Sequence, residues 1–206
     1  MPSYKLYYFP ARAVGEVVRQ IFAYSGVEYE DNRVTHEEWA AFKSKTPFGQ
    51  MPVLEVDGKQ IPQSFAIARF LASQHGLTGA CAFEAAWVDA LADQYKDYMN
   101  EFRNYWYLLM GYRQGDKDAA FETSAKPARD SFYPILTKAL KDAGSGFLVG
   151  KAVTWVDFLV ADHVATVQVE LPGFLDAYPE VVAHAAKVRE LPAIKAWIEK
   201  RPVTRG

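Results

Sequence analysis

The sequence predicts an α/β domain followed by an all-helical domain, and three observations support this fold class. Within the first 76 residues, short strand patterns alternate with helical patterns. Asp57-Gly58, between two strand-like runs, is the strongest short signal of a β-hairpin. From Phe83 onward, apolar residues recur only at helical spacing. We therefore expect one domain at residues 1–76, a linker at 77–82 and a second domain at 83–206.

The first elements form a strand-helix-strand unit. Residues 4–9 alternate like a short buried strand, and the proline that follows ends it. Apolar residues between Ala13 and Phe22 recur at helical spacing, and Gly26 can end that helix because glycine adopts positive φ readily. Residues 29–34 have the pattern of a second strand. Because such crossovers are right-handed, the two strands should be parallel.

A short helix, a hairpin and a third helix complete the first domain. The short helix follows Thr35, and the hairpin joins a strand at residues 53–56 to an edge strand at 59–62, where a proline is tolerated. Ser64 is expected to cap a helix that runs to about His75. The resulting β-α-β-α-β-β-α order is that of a thioredoxin-like fold without its usual cysteine pair.

The second domain begins with two long amphipathic helices. The first covers residues 83–110, and the second covers 119–143 before a glycine-rich turn. Thr154 and Asp157 form a capping box, which marks the start of a buried helix towards Leu171. We give this box a structural role and no chemical one. Two shorter helices are expected at residues 179–189 and 192–200.

Composition limits the classes of partner and the compartment. The chain has 206 residues and a formal net charge of −2 with both signs interspersed, so nothing favours nucleic acid or an anionic membrane. Its one cysteine, Cys81, excludes an internal disulfide framework and fits a reducing compartment. We find no secretory signal pattern and no apolar run near the ~20 residues of a membrane helix. We expect a cytoplasmic protein without a metal site, because its four histidines are scattered singly.

The stretch at residues 46–64 carries the first candidate binding site. The proline after Met51 allows a cis peptide bond, which would turn the Met51 N–H and C=O outward to pair with a peptide-like ligand. Gln63 and Ser64 add a side-chain amide, a hydroxyl and the free N–H groups of a helix N-terminus, which suit a carboxylate. These residues predict a small, extended, anionic ligand. An ordinary turn at Met51-Pro52 and an ordinary cap at Ser64 are the structural alternatives.

The same stretch resembles a known family. Pro-Phe-Gly-Gln-Met-Pro-Val-Leu-Glu-Val-Asp-Gly, followed by Gln-Ser and Ala-Ile-Ala-Arg-Phe-Leu, is similar to the glutathione-binding segment of cytosolic glutathione transferases. The resemblance runs from Tyr4 to Pro202 and is greatest to the sigma class, which includes haematopoietic prostaglandin D synthases and sigma-like transferases of nematodes. It implies the glutathione transferase fold, a homodimer and glutathione as co-substrate without a metal. The implied activity is conjugation of glutathione to electrophilic small molecules in detoxification.

Tyr8 is the candidate catalytic residue. Spacing alone allows Tyr4, Leu6 and Tyr8 to form one buried face of a strand, whereas the resemblance implies that the Tyr8 hydroxyl faces the glutathione sulfur. A cysteine thiol ionises near pH ~8.5 and a phenol near ~10, so a protonated phenol can donate a hydrogen bond to the thiolate. Lowering the thiol pKa by ~2 units requires roughly 2.7 kcal/mol, which one charge-assisted hydrogen bond can supply.

The resemblance also implies which residues hold glutathione. Trp39 and Lys43 share a helix face and would meet its glycine end, although a half-buried tryptophan and a solvated lysine have the same spacing. Asp97 continues a stripe with Asp89 and Asp93, which is a solvated face or, by the resemblance, faces the partner subunit. Gln50 stands where some relatives have a lysine, and should make a weaker contact. The implied set is Trp39, Lys43, Gly49, Gln50, Met51, Pro52, Gln63, Ser64 and Asp97 of the partner subunit.

The second substrate is expected between the two domains. The candidate walls of this site are Phe9, Arg12, Val14, Met99, Arg103, Trp106 and the C-terminal tail. This set of residues is too variable to name a substrate.

Two alternative functions use the same fold. Glutathione-dependent prostaglandin D isomerisation is weakened because Val14 replaces an arginine beside the catalytic tyrosine and Asn104 replaces a tryptophan over the pocket. Lys96 also stands where the prostaglandin synthases have an aspartate. A non-catalytic carrier of haem or other apolar ligands is the other alternative. Retention of Tyr8 argues against a lost active site, and a conjugation assay separates an enzyme from a carrier.

Overall fold

A computed structural model describes residues 2–204 and has the predicted fold class, a mixed sheet with helices followed by helices only. The first part contains β1 (Tyr4–Tyr8), α1 (Ala13–Ser25), β2 (Glu30–Arg33), α2 (His36–Phe42), a 3₁₀ turn (Lys43–Lys45), β3 (Val53–Val56), β4 (Lys59–Pro62) and α3 (Ser64–Gln74). The second part contains α4 (Ala82–Leu109), α5 (Lys117–Ala120), a π-helical turn (Phe121–Ala125), α6 (Lys126–Ala143), α7 (Trp155–Glu170), α8 (Pro179–Arg189) and α9 (Pro192–Lys200). The division into domains at residues 76 and 83 stays a prediction.

The four strands lie in the order β2-β1-β3-β4. β1 pairs in parallel with β2, as predicted, and antiparallel with β3, which pairs antiparallel with β4. The hairpin turn has Asp57 at φ 48° and Gly58 at φ 80°, the two positive values that a type I′ turn requires. The parallel pair ends at Tyr8 opposite Arg33, so Tyr8 lies at the carboxyl end of the interior strand β1.

The start of α3 differs from the prediction that Ser64 caps it. Ser64 is the first helical residue, and Gln63 occupies the capping position with φ 75° and ψ 116°. The Gln63 carbonyl accepts a hydrogen bond from the Ile67 N–H at 3.0 Å. Residue type favours serine as a cap, but the turn out of β4 places the non-helical residue one position earlier. No side chain within residues 2–204 caps this turn, so its N–H groups are available to another acceptor.

The helix predicted at residues 119–143 is interrupted. A π-helical turn at Phe121–Ala125 separates α5 from α6, and a proline occupies the first turn of α6. Pro127 has no N–H to donate to the carbonyl of Thr123, so the regular hydrogen-bond pattern breaks there. The Thr123 hydroxyl instead donates to the carbonyl of Ala119 at 2.7 Å. Apolar spacing continues through this segment, which is why periodicity alone predicted one helix.

α7 begins at the predicted capping box and is buried along most of its length. The Asp157 carboxylate accepts hydrogen bonds from the Thr154 N–H at 2.7 Å and from the Thr154 hydroxyl at 2.8 Å. It also accepts from the Leu148 N–H and from Nε2 of His184, each at 2.8 Å. Asp157 is fully buried, and these donors offset the cost of desolvating its charge.

The sheet and the helices share one apolar core. The ring of Tyr24 on α1 lies 5.4 Å from that of Phe158 on α7, and Phe65 on α3 lies 5.7 Å from Trp155. These contacts pack α1 and α3 against α7, and the end of β1 that carries Tyr8 faces α4 across a shared cavity. Among residues 2–204, none of the helices combines the length and apolar character needed to cross a membrane.

Candidate active site

A cavity of about 630 Å³ lies between the end of β1, the start of α3 and the later turns of α4. Its walls are mostly apolar and aromatic, and Lys96 and Arg103 add positive charge. Such walls with a few polar groups are typical of small-molecule sites. Residues that contribute to the walls include Tyr8, Phe9, Val14, Gln63, Ser64, Phe65, Tyr95, Lys96, Met99, Arg103, Trp106, Tyr107, Met110 and Tyr112.

Tyr8 presents a protonated phenol to this cavity. Its side chain is buried, with 8% of its surface exposed. Burial raises the pKa of Tyr8 to about 12, and the charge of Arg19 acts in the opposite direction. The hydroxyl is therefore a hydrogen-bond donor at neutral pH. Gly15 permits the close packing of α1 on the ring, because a Cβ at Gly15 would lie 2.2 Å from Cδ1 of Tyr8.

Arg19 supports the loop after Tyr8 and was not among the predicted site residues. It is fully buried, and its guanidinium donates to the carbonyls of Ala11 at 2.7 Å and Phe9 at 3.3 Å. Its Nε donates to Asp31 at 3.1 Å, and its guanidinium carbon lies 5.7 Å from the centre of the Tyr8 ring. The sequence held a signal, since a cation inside the most apolar part of a helix needs buried partners.

Gln50, Gln63 and Ser64 lie together at the start of α3. The Gln63 amide donates to Oε1 of Gln50 at 3.2 Å, and Gln63 and Ser64 both line the cavity. The first turn of α3 adds backbone N–H groups without a side-chain cap. The predicted cis peptide bond at Met51-Pro52 is present. Neutral donors at a helix N-terminus suit an anionic group.

Trp39, Lys43 and Gly49 form a group that meets the cavity wall through Phe9, and none of the three lines the cavity itself. The Lys43 N–H donates to the Trp39 carbonyl, and the Trp39 and Phe9 ring centres are 5.7 Å apart. Lys43 is exposed, and its Cε would lie 3.4 Å from a Cβ at Gly49. Gly49 has φ 62°, a conformation that favours glycine. The structure thus brings these three predicted residues close to one another.

The aspartate stripe on α4 is divided in two. Arg69 of α3 forms ion pairs with Asp89 at 3.0 Å and with Asp93 at 2.8 Å, so two of the three carboxylates share one cation of the same chain. The stripe is therefore not a uniformly solvated acidic face. Asp97 is exposed and has no ion pair with any residue in the described range 2–204.

Five of the six predicted second-substrate residues line the cavity, and Arg12 does not. Arg12 instead forms an ion pair with Asp162 of α7 at 3.3 Å. The C-terminal tail also differs from the prediction up to Thr204, because the described part lies against α1. Glu16 accepts hydrogen bonds from Trp197 at 2.7 Å and from Arg201 at 2.6 Å. The last two tail residues lie outside the described residues.

Several aromatic wall residues were missed by the sequence analysis. Tyr107 and Tyr112 follow the predicted residue Trp106 and line the same cavity, and their rings are 6.0 Å apart. The aromatic-rich run at residues 105–112 was the available signal. Within the part of the chain that the structure describes, no group of three or more His, Cys, Asp or Glu side chains is placed to hold a metal ion.

Two family models match the chain. Residues 2–73 match the model described as "Glutathione S-transferase, N-terminal domain". Residues 96–201 match the model described as "Glutathione S-transferase, C-terminal domain". The two matches cover the sheet that carries Tyr8 and most of the helical part.

Full-length relatives extend this match. The chain is 52% identical over 206 residues to "Probable glutathione S-transferase 5" of Caenorhabditis elegans, with 99% of each chain covered. It also superposes on the crystal structure of "a major nematode C. elegans specific GST" with a TM-score of 0.97, 52% identity and complete coverage of both chains.

The solved relatives carry different class names, and one of them is described as monomeric. A Nu-class GST from Haemonchus contortus has a TM-score of 0.93 and 49% identity with both chains fully covered. Na-GST-3 of the hookworm Necator americanus, described as monomeric, has a TM-score of 0.95 and 47% identity with 99% and 100% of the chains covered. Prostaglandin synthase D of Nilaparvata lugens has a TM-score of 0.87 and 35% identity with 98% and 100% covered. These comparisons agree on the family but not on the class: the chain belongs to the glutathione S-transferase family.

Proposed function

We propose that the chain conjugates the thiolate of glutathione to electrophilic small molecules in detoxification, as a sigma-like transferase. The observation that carries the proposal is the position of Tyr8, a buried and protonated phenol in the wall of a largely apolar cavity. Apolar walls suit an electrophilic organic substrate. The uncapped start of α3 beside the paired amides of Gln50 and Gln63 suits an anionic peptide.

The proposed role of Tyr8 is to stabilise the thiolate by donating a hydrogen bond to the sulfur. A free thiol ionises near pH ~8.5, and lowering its pKa by ~2 units needs roughly 2.7 kcal/mol. One charge-assisted hydrogen bond contributes ~1.5–3 kcal/mol. The sulfur lone pair then forms a bond to the electrophilic carbon. In aromatic substitution a halide leaves with the bonding electrons, and in conjugate addition the neighbouring carbon takes a proton from water.

The other residues are proposed to hold glutathione in an extended conformation. Gln63 and Ser64 would bind one carboxylate at the start of α3, and Lys43 would bind the other beside Trp39. The Met51 backbone would pair with the cysteinyl unit. Further proposed contacts come from Gly49, Gln50, Pro52 and Asp97 of the partner subunit, and the last of these makes a homodimer the proposed active unit.

The second substrate is proposed to occupy the cavity next to Tyr8. Phe9, Val14, Met99, Arg103 and Trp106 support this assignment because they line the cavity. We propose a cytoplasmic location, because a chain with Cys81 as its one cysteine fits a reducing compartment.

Conjugation of glutathione to chlorodinitrobenzene tests the proposed activity. We expect the absorbance of the dinitrophenyl thioether to rise well above the uncatalysed rate. Tyr8→Phe should remove most of this rate. Tyr24→Phe, at a tyrosine of α1 that is 39% exposed, is the matched control and should retain it. A wild-type rate equal to background would contradict the proposal.

Prostaglandin isomerisation is a second candidate, because prostaglandin synthase D of Nilaparvata lugens shares the fold at 35% identity. Val14 and Asn104 count against it, since both depart from the pattern that the resemblance implies. Incubation with the prostaglandin endoperoxide and glutathione, followed by mass spectrometry, would favour this candidate if the D isomer dominated the products. Haem titration in parallel would detect the carrier function.

A further inference from the structure

A smaller chamber adjoins the cavity that contains Tyr8. It has a volume of about 80 Å³ and shares five lining residues with the larger cavity, among them Val14, Met99 and Trp106. Tyr8 lines the larger cavity only. A water molecule needs about 10–15 Å³ of such space, so the chamber has room for several non-hydrogen atoms. We call it the inner chamber and its α7 residues Asp162, His163 and Thr166 its floor.

The inner chamber has an apolar and a polar set of lining residues. Val17 and Leu159 line it together with the shared residues, which are apolar apart from the phenol of Tyr95. The three floor residues form the polar set on α7, and each is buried from bulk solvent. Buried polar groups need hydrogen-bond partners, so the chemistry of the floor decides which ligand group can reach it.

The floor offers mainly hydrogen-bond acceptors. The Thr166 hydroxyl donates its proton to the backbone carbonyl of Asp162 at 2.8 Å, which leaves its lone pairs for a ligand. Arg12 and Arg201 both bind Oδ1 of Asp162, at 3.3 Å and 2.9 Å. Neither of these bonds uses the second carboxylate oxygen, Oδ2.

His163 completes the floor as a neutral imidazole. Burial lowers the pKa of His163 to about 4, so the ring is uncharged at neutral pH. Its Nε2 lies 3.0 Å from the Tyr98 hydroxyl, which leaves Nδ1 as the other polar atom of the ring. A neutral imidazole has one donor and one acceptor nitrogen.

Charge decides between the groups that could reach this floor. A carboxylate would face the Asp162 carboxylate and the Thr166 lone pairs with no proton to offer. An ammonium would be unfavourable because Arg12 and Arg201 already balance Asp162. A neutral hydroxyl satisfies the acceptors with its proton and costs less to desolvate than an ion.

We propose that the inner chamber is a specificity subsite that binds the terminal hydroxyl of an apolar chain on the second substrate. The electrophilic carbon of that substrate lies in the larger cavity near Tyr8, and the chain passes Val14 and Met99 to the floor. This inference rests on the proposed transferase activity and adds a substrate class to it: elongated electrophiles with a neutral, hydroxylated far end.

Matched pairs of unsaturated aldehydes test the subsite. Each pair has the same chain length and ends in either a methyl group or a hydroxyl, and the series varies the length. In the reaction the glutathione sulfur bonds to the β-carbon and the α-carbon takes a proton from water. We expect kcat/KM to favour the hydroxyl member by about 10-fold or more at the length that reaches the floor, because a site built to bind a hydroxyl rejects the analogue without one.

Two variants locate that preference at the floor. Thr166→Val removes a hydroxyl with little change in shape, and Leu159→Phe fills the inner chamber from its apolar side. Both should bring the hydroxyl-to-methyl ratio of kcat/KM close to one. Val169→Thr, on the outer face of α7 where the side chain is 76% exposed, is the control and should keep the wild-type ratio. Thermal unfolding curves identify which variants are folded.

Two results would overturn the inference. One is a wild-type enzyme that shows no hydroxyl preference at any chain length. The other is a preference that both folded variants retain. Chlorodinitrobenzene conjugation is measured in the same preparations, so loss of the subsite with conjugation intact is distinguishable from failure of the proposed transferase activity itself.

Discussion

Tyr8 has the environment of a hydrogen-bond donor, and its neighbours explain why. Burial raises its pKa to about 12, so the hydroxyl keeps its proton in the range where a thiol loses one. Arg19 lies 5.7 Å from the ring centre and holds the carbonyls of Phe9 and Ala11. Arg19 therefore positions the Tyr8 hydroxyl indirectly, by holding the loop that follows Tyr8.

Tyr8→Phe should raise the pKa of bound glutathione while leaving its affinity almost unchanged. Conjugation at neutral pH should fall by about 10- to 100-fold, because a loss of roughly 2 pKa units removes most of the thiolate. The ultraviolet absorbance of the thiolate, followed against pH, measures this directly. The wild-type rate should rise as the thiol ionises and then stay level, since Tyr8 loses its proton only near pH 12. An unchanged titration would remove Tyr8 from the mechanism.

Gly15→Ala should impair catalysis as well as stability. The new Cβ would lie 2.2 Å from Cδ1 of Tyr8, so the ring must move. A displacement near 1 Å can cost about 100-fold in rate, whereas overpacking costs about 1–3 kcal/mol in stability. Gly26→Ala is the matched control: φ is 65° and no atom lies within 4 Å of its added Cβ, so it should lose stability only. Equal rates for both variants would refute this role of Gly15.

Candidate site residues that are close in sequence could be proposed from the sequence alone. The Met51-Pro52 bond and the Gln63-Ser64 pair lie in one short stretch, and the structure keeps them together. Arg12 was assigned to the substrate cavity, but its partner Asp162 is 150 positions further along the chain. Arg19 and Gly15 were missed for the same physical reason, since their roles depend on what packs across from them.

At the scale of elements, two capping boxes of the same type differ in burial. Thr35 and Glu38 cap the exposed helix α2. Thr154 and Asp157 cap the buried helix α7, where the carboxylate also holds His184 and the Leu148 N–H. The same motif is therefore expected to contribute more to the free energy of unfolding at α7 than at α2.

Asp157→Ala should destabilise the protein far more than Glu38→Ala. The first substitution leaves several buried donors without an acceptor, at a cost of about 3–5 kcal/mol. The second removes an exposed cap worth about 1 kcal/mol or less. Urea unfolding of both variants measures the difference. Similar losses would show that burial of the α7 box adds nothing.

Element boundaries were predictable where a residue type forces them. α8 and α9 occur at the expected positions, Pro179–Arg189 and Pro192–Lys200, because proline favours the first helical position. The cap at Gln63 and the π-helical turn at Phe121–Ala125 were missed. Both depend on how the chain enters a helix in three dimensions, which residue preferences do not encode.

At the scale of the molecule, the divided aspartate stripe bears on assembly. Arg69 on α3 forms ion pairs with both Asp89 and Asp93 on α4. Asp97 remains exposed on the same helix. If the active unit is a two-fold dimer, each exposed Asp97 would serve the neighbouring site, since an isologous interface repeats every contact.

Mixing two impaired proteins, Tyr8→Phe and Asp97→Ala, at a glutathione concentration far below saturation tests the shared site. In a mixed dimer one site carries both lesions and the other carries neither, so activity should partly return on subunit exchange. Asp97→Ala alone should weaken glutathione binding by about 1–3 kcal/mol, because it removes a charge-assisted hydrogen bond. Calorimetric titration measures this affinity, and the conjugation rate after mixing measures the recovery.

Asp93→Ala is the control for this mixing experiment. Its ion pair with Arg69 lies within one chain, so mixing it with Tyr8→Phe should give no recovery. A monomeric wild-type protein, as described for Na-GST-3, would contradict the shared site. So would an Asp97→Ala protein with unaltered glutathione affinity.

The burial of Glu16 has a consequence for synthesis on the ribosome. Its carboxylate is 1% exposed and accepts hydrogen bonds from residues made 181 and 185 positions later, Trp197 and Arg201. At roughly 5–20 residues per second, translation takes about 10–40 seconds to reach them. During that interval Arg19, at 3.4 Å, is the cation already in place, and an incompletely paired buried charge opposes tight packing. The nascent N-terminal part of the chain should therefore pack incompletely around α1 until the end of α9 leaves the exit tunnel.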